Sequence, residues 1–261
     1  MGKAKAIVLR AAGINCEQET RHALELAGAD VRLVHIRRII ENPSFLEDCQ
    51  LFVLPGGFSY GDDVSAGKVL AGQMTRHLQD ALTKFIADGK LVLGIGNGFQ
   101  VLAKTGFLPG MKEADKPSVT LTDNDSGKYE NRWVYLQPAT DRCVFLEPHR
   151  RIYLPTAHGE GKVVTRDKAT LDKLRQEGYV ALLYVDAEGK EGAFPINPNG
   201  SVGSIAGLTD STGRVLGLMP HPERFVRQTQ HPHWTRLVKS ELVAEGLSIF
   251  SRAVQYKEDH F

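Results

Sequence analysis

Leu91-Val92-Leu93-Gly94-Ile95-Gly96-Asn97-Gly98-Phe99-Gln100 is the stretch that decides the fold class of this chain. Leu91 to Ile95 holds only apolar or small residues, which makes a strand buried on both faces, as strands inside parallel sheets are. A glycine-rich turn and a helix to Lys104 follow at once. Strand, tight turn and helix in that order are the repeating half of a βαβ unit. Small residues stand on either side of position 96. A turn of this kind lifts its central side chain above the carboxyl end of the sheet and aims the next backbone N–H at the same point. The central residue is Gly96, which has no side chain to present.

Outward from this stretch the alternation continues. Ala6 to Leu9 reads as a short strand. Glu17 to Ala27 carries Ala23, Leu24 and Ala27 at helical spacing before Gly28, and Val31 to His35 reads as a second strand. Leu51 to Leu54 is a third strand, entirely apolar, ending in Pro55-Gly56-Gly57. The spacing predicts one long helix from about Lys68 to Asp88, closed by Gly89. From about Met111 to Gly207 short strands and turn signals such as Asp125-Ser126-Gly127 take over, as in a mixed or antiparallel region. Val215 to Met219 returns as an apolar strand. An amphipathic helix is expected over Thr235 to Tyr256, with Leu237, Val238, Leu242, Leu247, Ile249 and Phe250 inward. The fold class expected is α/β: an open, mostly parallel, twisted, flavodoxin-like sheet with helices on both faces, plus a smaller mixed or antiparallel strand region. No repeat or low-complexity linker divides the chain, so one domain is expected over residues 1–261.

Composition narrows the function classes. With 261 residues, 42% of them hydrophobic, the chain can bury a full core. Lys and Arg number 32 against 31 Asp and Glu, so no basic excess points to nucleic acid or a membrane surface. The apolar run after Lys5 is too short for a signal peptide or a membrane span, and the expected location is the cytoplasm. Cys16, Cys49 and Cys143 are odd in number and lack CxxC spacing, which fits neither a disulfide framework nor a zinc site.

Ligands of open parallel sheets bind beyond the carboxyl ends of the strands, where helix N-termini point inward. Four loops lie there: Gly13 to Cys16, Pro55 to Asp63, Gly94 to Gly98 and Pro220 to Arg224. In Pro220-His221-Pro222-Glu223 the histidine and the acid stand two residues apart in an expected extended segment and so point the same way, which lets the acid orient the imidazole and leaves its other nitrogen free as a base. A solvated surface turn is the plain alternative for so short a motif. Gly56-Gly57-Phe58 can present bare N–H groups to an oxyanion. Asp62 and Asp63 read as turn caps, Trp133 and Tyr135 as packing residues, and His231 and His233 as a solvated cap. Cys16, on a separate loop, reads as a small buried packing residue.

GGFSYGD (Gly56 to Asp62), GIGNGFQ (Gly94 to Gln100), TAHGEG (Thr156 to Gly161), NPNGS (Asn197 to Ser201) with Ile205-Ala206-Gly207, and MPHPER (Met219 to Arg224) occur in register behind an opening GINC (Gly13 to Cys16). In this order they resemble the glutaminase subunits of phosphoribosylformylglycinamidine synthase, which are triad-type glutamine amidotransferases, from about Lys5 to Arg224. The resemblance implies a Cys-His-Glu triad that hydrolyses glutamine through a γ-glutamyl thioester. The ammonia passes to a large synthetase subunit, which binds ATP and formylglycinamide ribonucleotide and serves purine biosynthesis; a small accessory subunit can complete such a complex. By the resemblance His221 is the base and Glu223 its orienting acid. Gly57, Phe58 and Asn97 supply the oxyanion hole, Gln100 contacts glutamine, and His158 lies near the site. No cofactor or metal is called for.

Gly96 stands where the family has its nucleophilic cysteine. The chain as written is therefore expected to be disabled, because the covalent step has no attacking atom. A substitution made at the nucleophile, a modified cysteine written as glycine, or a subunit that has lost the step all fit, and the intact loops favour the first two. Two other functions compete with a glutaminase. One is a non-catalytic partner that supports ammonia-dependent synthesis. The other is a phosphate binder built on Gly94, Gly96 and Gly98, which lacks the GxGxxG spacing and an acidic ribose ligand.

Overall fold

Alternate residues of the central strands enter different cores, as a period of two requires of strands covered on both faces. Ile7, Leu9, Phe52, Leu54 and Val92 join one apolar cluster; Ala6, Val8, Leu51, Val53, Leu91, Leu93 and Ile95 join the other. The computed structural model describes residues 2–111, 117–237 and 244–261. Its elements are β1 (Lys5–Arg10), α1 (Glu17–Leu26), β2 (Asp30–His35), α2 (Ile36–Glu41), β3 (Leu51–Leu54), α3 (Lys68–His77), α4 (Gln79–Ala87), β4 (Leu91–Ile95), α5 (Asn97–Thr105), β5 (Val119–Thr122) and β6 (Glu130–Pro138). There follow β7 (Ile152–His158), β8 (Lys162–Thr165), α6 (Lys168–Gln176), β9 (Val180–Val185), β10 (Ile205–Thr209), β11 (Val215–Leu218) and α7 (Glu245–His260).

The main sheet has nine strands in the order β2-β1-β3-β4-β11-β10-β9-β6-β7. From β2 to β11 the pairings are parallel. From β11 to β7 they are antiparallel, and the mixed region foreseen after Met111 thus continues the same sheet. Among the described residues only β5 and β8 pair apart from it. Leu70, Met74, Leu82, Phe85, Phe99 and Leu102 of α3, α4 and α5 fill the first cluster, while Ala23, Leu24, Ile249 and Phe250 of α1 and α7 fill the second. Helices therefore cover both faces.

Three local expectations change. The long helix from Lys68 is kinked at Leu78 (φ −126°, ψ 3°) into α3 and α4. No Gly or Pro marks the place; the kink buries Leu78 completely in the first cluster, so tertiary packing decides it. The C-terminal helix starts at Glu245, and Thr235 to Leu237 form turns. Val238 and Leu242 lie outside the described residues. Helix α6 interrupts the strand-rich region. Asp167 caps it by accepting the Thr170 N–H at 2.7 Å, with Gly178 (φ 70°) just past its end.

Candidate active site

At the carboxyl end of β4 the chain turns through Gly96 with φ 52° and ψ −110°. This is a conformation L side chains seldom adopt. The flanking glycines are there for packing. A Cβ on Gly98 would stand 1.9 Å from the Leu54 carbonyl oxygen of β3, and one on Gly94 would stand 2.7 Å from the Gly98 carbonyl oxygen. Position 96 is different. A Cβ there would meet the His221 imidazole at 3.1 Å from both Cε1 and Nε2, with the Gly56 Cα next at 3.8 Å. The turn is thus shaped to carry a side chain directly onto His221, and a phosphate cradle would not need that.

His221 follows β11 and is anchored by its N–H, which donates to the Pro155 carbonyl of β7 at 2.7 Å. Its Nδ1 lies 2.6 Å from Glu223 Oε1, and the two residues are 3% and 1% exposed. The approach differs from the one expected. Pro222 opens a single 3-10 turn, Pro222–Arg224, and that turn rather than extended alternation folds Glu223 back onto the ring. Burial alone would lower the His221 pKa, but the Glu223 charge and hydrogen bonding of the ring to Cys16 and Glu223 outweigh it and raise the pKa to about 9. At neutral pH the ring beside Glu223 therefore carries its second proton.

That charge state has a consequence for stability. A histidine whose pKa is raised in the folded state stabilises the fold fully below its unfolded value and loses that contribution as the pH passes the folded value. The thermal midpoint should fall between about pH 7 and pH 10 in a way that Glu223→Gln abolishes. A pH profile identical in the two proteins would contradict the ion pair.

The three N–H groups expected at an oxyanion hole differ in what they bind. Asn97 is the first residue of α5, so its N–H has no acceptor within the helix. Among the described residues no acceptor takes the Gly57 N–H, and Gly57 (φ 137°) lines the same cavity. Phe58 is corrected. Its N–H donates to the Gly13 carbonyl at 2.8 Å and is not free; its ring instead stands beside Tyr129 at the cavity, 45% exposed.

The cavity has a volume of about 200 Å³, enough for one small amino acid, and Gly57, Gly96, Asn97, Gln100, His158 and His221 all border it. The Gln100 Nε2 donates to the Glu160 carbonyl, and its Oε1 accepts from Asn97 Nδ2 at 2.9 Å. The same Nδ2 reaches Asp62 Oδ1 at 2.9 Å, and Asn97 Oδ1 accepts the Ser59 N–H at 3.1 Å. Asp62 also accepts the Gly67 N–H at 3.3 Å. It is thus a turn cap, as expected, and also the residue that fixes the elbow asparagine. His158 is buried and hydrogen-bonded through Nδ1 to Asn124 Oδ1 at 3.0 Å. Since that oxygen also accepts the Gly161 N–H, Nδ1 is the donor. Burial, and then the His221 charge, push the His158 pKa down to about 4, so this ring is neutral.

Sequence reasoning missed Asn15, Tyr129, Glu160 and Arg224, which also line the cavity, and it undervalued Cys16. Cys16 is 1% exposed, lies with its Sγ within 4.8 Å of the His221 ring, donates to Asn15 Oδ1 at 3.3 Å and accepts from the Arg224 guanidinium at 3.1 Å. Trp133 packs against Phe225 and Tyr153, as expected of a packing residue. His231 lies against that group, and His233 is exposed.

A family model described as the CobB/CobQ-like glutamine amidotransferase domain matches residues 3–257. A "Phosphoribosylformylglycinamidine synthase subunit PurQ" of Dehalococcoides mccartyi is 45% identical over 98% of each chain, and one of Methanococcus maripaludis is 40% identical over 97% of each. Among solved structures, that of "PurLQS from Thermotoga maritima" superposes with a TM-score of 0.74 at 32% identity, covering 98% of this chain and 100% of that one. Sequence similarity along nearly its whole length and the superposed fold agree: the chain belongs to the CobB/CobQ-like glutamine amidotransferase family, in its group of phosphoribosylformylglycinamidine synthase subunits.

Proposed function

We propose that this chain is the glutamine-binding, ammonia-supplying subunit of a phosphoribosylformylglycinamidine synthase, held at the stage before chemistry by Gly96. The observation that carries this reading is the side-chain vector at position 96, which ends 3.1 Å from His221 Nε2 while Glu223 holds Nδ1. With a cysteine there, the thiol gives up its proton to solvent beside the His221 imidazolium, and the thiolate of that ion pair attacks the glutamine carboxamide carbon. The Asn97 and Gly57 N–H groups receive the charge that develops on the oxygen. The imidazolium gives its proton to the departing ammonia, leaving a γ-glutamyl thioester that water hydrolyses to glutamate. Gly96 stops this sequence at bound glutamine.

The synthetase subunit is the proposed partner and receives the ammonia, and the cytoplasm is the proposed compartment. Among the described residues no helix is long and apolar enough to cross a membrane. The test supplies the purified complex with ATP, formylglycinamide ribonucleotide and either glutamine or ammonium. This chain should support synthesis from ammonium only, and equal rates from glutamine would contradict the reading. Gly96 itself favours a second reading, a subunit that serves only to complete the synthetase. That reading requires the Gly96→Cys protein to remain unable to use glutamine.

The elbow asparagine gives a graded prediction. In a Gly96→Cys background, Asp62→Ala removes the acceptor that holds Asn97 and should lower kcat/KM for glutamine by about 10- to 100-fold, as small misplacements of a catalytic group do. An unchanged kcat/KM would take Asp62 out of the site.

A further inference from the structure

The cysteine spacing in the sequence suggested no metal site, but the fold brings Cys16 to residues from the far end of the chain. One donor atom from each of Cys16, His221 and Glu223 lies within 4.8 Å of the other two, and all three residues are buried. The cluster sits on the Gly56 side of the imidazole. A Cβ on Gly56 would stand 3.3 Å from both Cys16 Sγ and His221 Nδ1, whereas Nε2 faces Gly96. We propose that Cys16, His221 and Glu223 form a binding site for a thiophilic divalent cation of the zinc class.

The donor set is one such ions take: a thiolate, an imidazole and a carboxylate, with water in the fourth position. Charge balance supports it. A thiolate and a carboxylate together cancel a divalent ion, so the loaded site is neutral and avoids the cost of a bare buried charge. Geometry permits it. Three atoms within 4.8 Å of one another lie within about 1 Å of the bond lengths zinc accepts around a common centre. An independent observation also points to a cation: Glu223 Oε2 is buried and has no hydrogen-bond partner among the described residues. An acceptor left so is costly, and a metal ion would satisfy it.

At present the positive charge beside the cluster comes from Arg224. Its guanidinium donates to Cys16 Sγ at 3.1 Å and stays 3.9 Å from Glu223 Oε1. The Arg224 side chain is 38% exposed and can turn to solvent as the ion enters. Cys49 and Cys143 are not rival ligands, since burial pushes both thiols up to about 12 and keeps them protonated. The ligands hold an ion only in their deprotonated forms, so loading releases protons and affinity rises with pH. It also takes His221 away from Glu223, so a bound cation and a working base exclude each other.

The site stands on its own geometry and does not depend on the glutaminase reading. The test is titration of the chelator-treated full chain with Co²⁺, following thiolate-to-cobalt charge-transfer absorption in the near ultraviolet. One equivalent should saturate the band, Cys16→Ser should weaken binding at least about tenfold or abolish the band, and Cys49→Ser and Cys143→Ser should leave it intact. No band in the unaltered chain, or an undiminished band in Cys16→Ser, would overturn the proposal. Should Cys16→Ser fail to fold, the cadmium NMR resonance of the unaltered chain decides: a position typical of one sulfur ligand supports the site, and one typical of oxygen and nitrogen alone refutes it.

Discussion

Gly96→Cys should raise glutamine hydrolysis by the synthetase complex on the order of 10⁶-fold, the scale of the loss when a catalytic triad is deprived of its nucleophile. Every other element of the proposed mechanism is already in position. The imidazole stands 3.1 Å from the incoming Cβ and is already paired with Glu223. A pKa near 9 keeps that imidazole protonated, which suits it to be the counterion of a thiolate. The substitution is not free. At φ 52° a Cβ costs about 1–2 kcal/mol, and His221 must give by a few tenths of an ångström. The melting temperature should therefore drop by roughly 2–6 °C while activity appears. Gain of activity without loss of stability would mean the turn relaxes. Loss of stability without activity would move the nucleophile elsewhere.

Gly98→Val should unfold the protein or lower its stability by at least about 3 kcal/mol, although the residue sits in a helix where glycine is normally a weakness. The reason is backbone overlap. The added Cβ would lie 1.9 Å from the Leu54 oxygen and 2.7 Å from its carbonyl carbon, and neither can move without parting α5 from β3. Gly72→Ala is the control. Gly72 lies exposed in α3 with no atom within 4 Å of a new Cβ, so this change should stabilise by about 0.5–1 kcal/mol. Chemical denaturation of both variants checks the pair. A Gly98 variant as stable as the Gly72 one would mean that close contact between strand and helix does not hold the elbow.

The parallel half of the sheet could be read from the chain because its strands are buried on both faces and its turns are glycine-marked. Leu51 to Leu54 and Leu91 to Ile95 need no tertiary information to be recognised. The kink at Leu78 is different in kind: nothing local requires it, and it exists because the core accepts that side chain. Helix α6 did carry a signal in Asp167 and Gly178, which the dense turn residues around it concealed.

The site divides in the same way. His221 and Glu223 are two residues apart after a strand, and local chemistry suggests their pairing. The binding of the Phe58 N–H to Gly13 depends on two loops meeting, and so does the contact of Cys16 with His221 and Arg224. Cys16 looked like packing in the sequence because the residues that give it a role lie at the other end of the chain.

The most direct measurement treats the chain and its Gly96→Cys variant with a glutamine analogue bearing an α-haloketone in place of the carboxamide, then locates the adduct by mass spectrometry. The account predicts one adduct, at position 96, in the variant alone, with excess glutamine protecting against it. Labelling of Cys16 in either protein, or an unlabelled thiol at position 96, would contradict the assignment of this turn as the nucleophile position of a glutamine site.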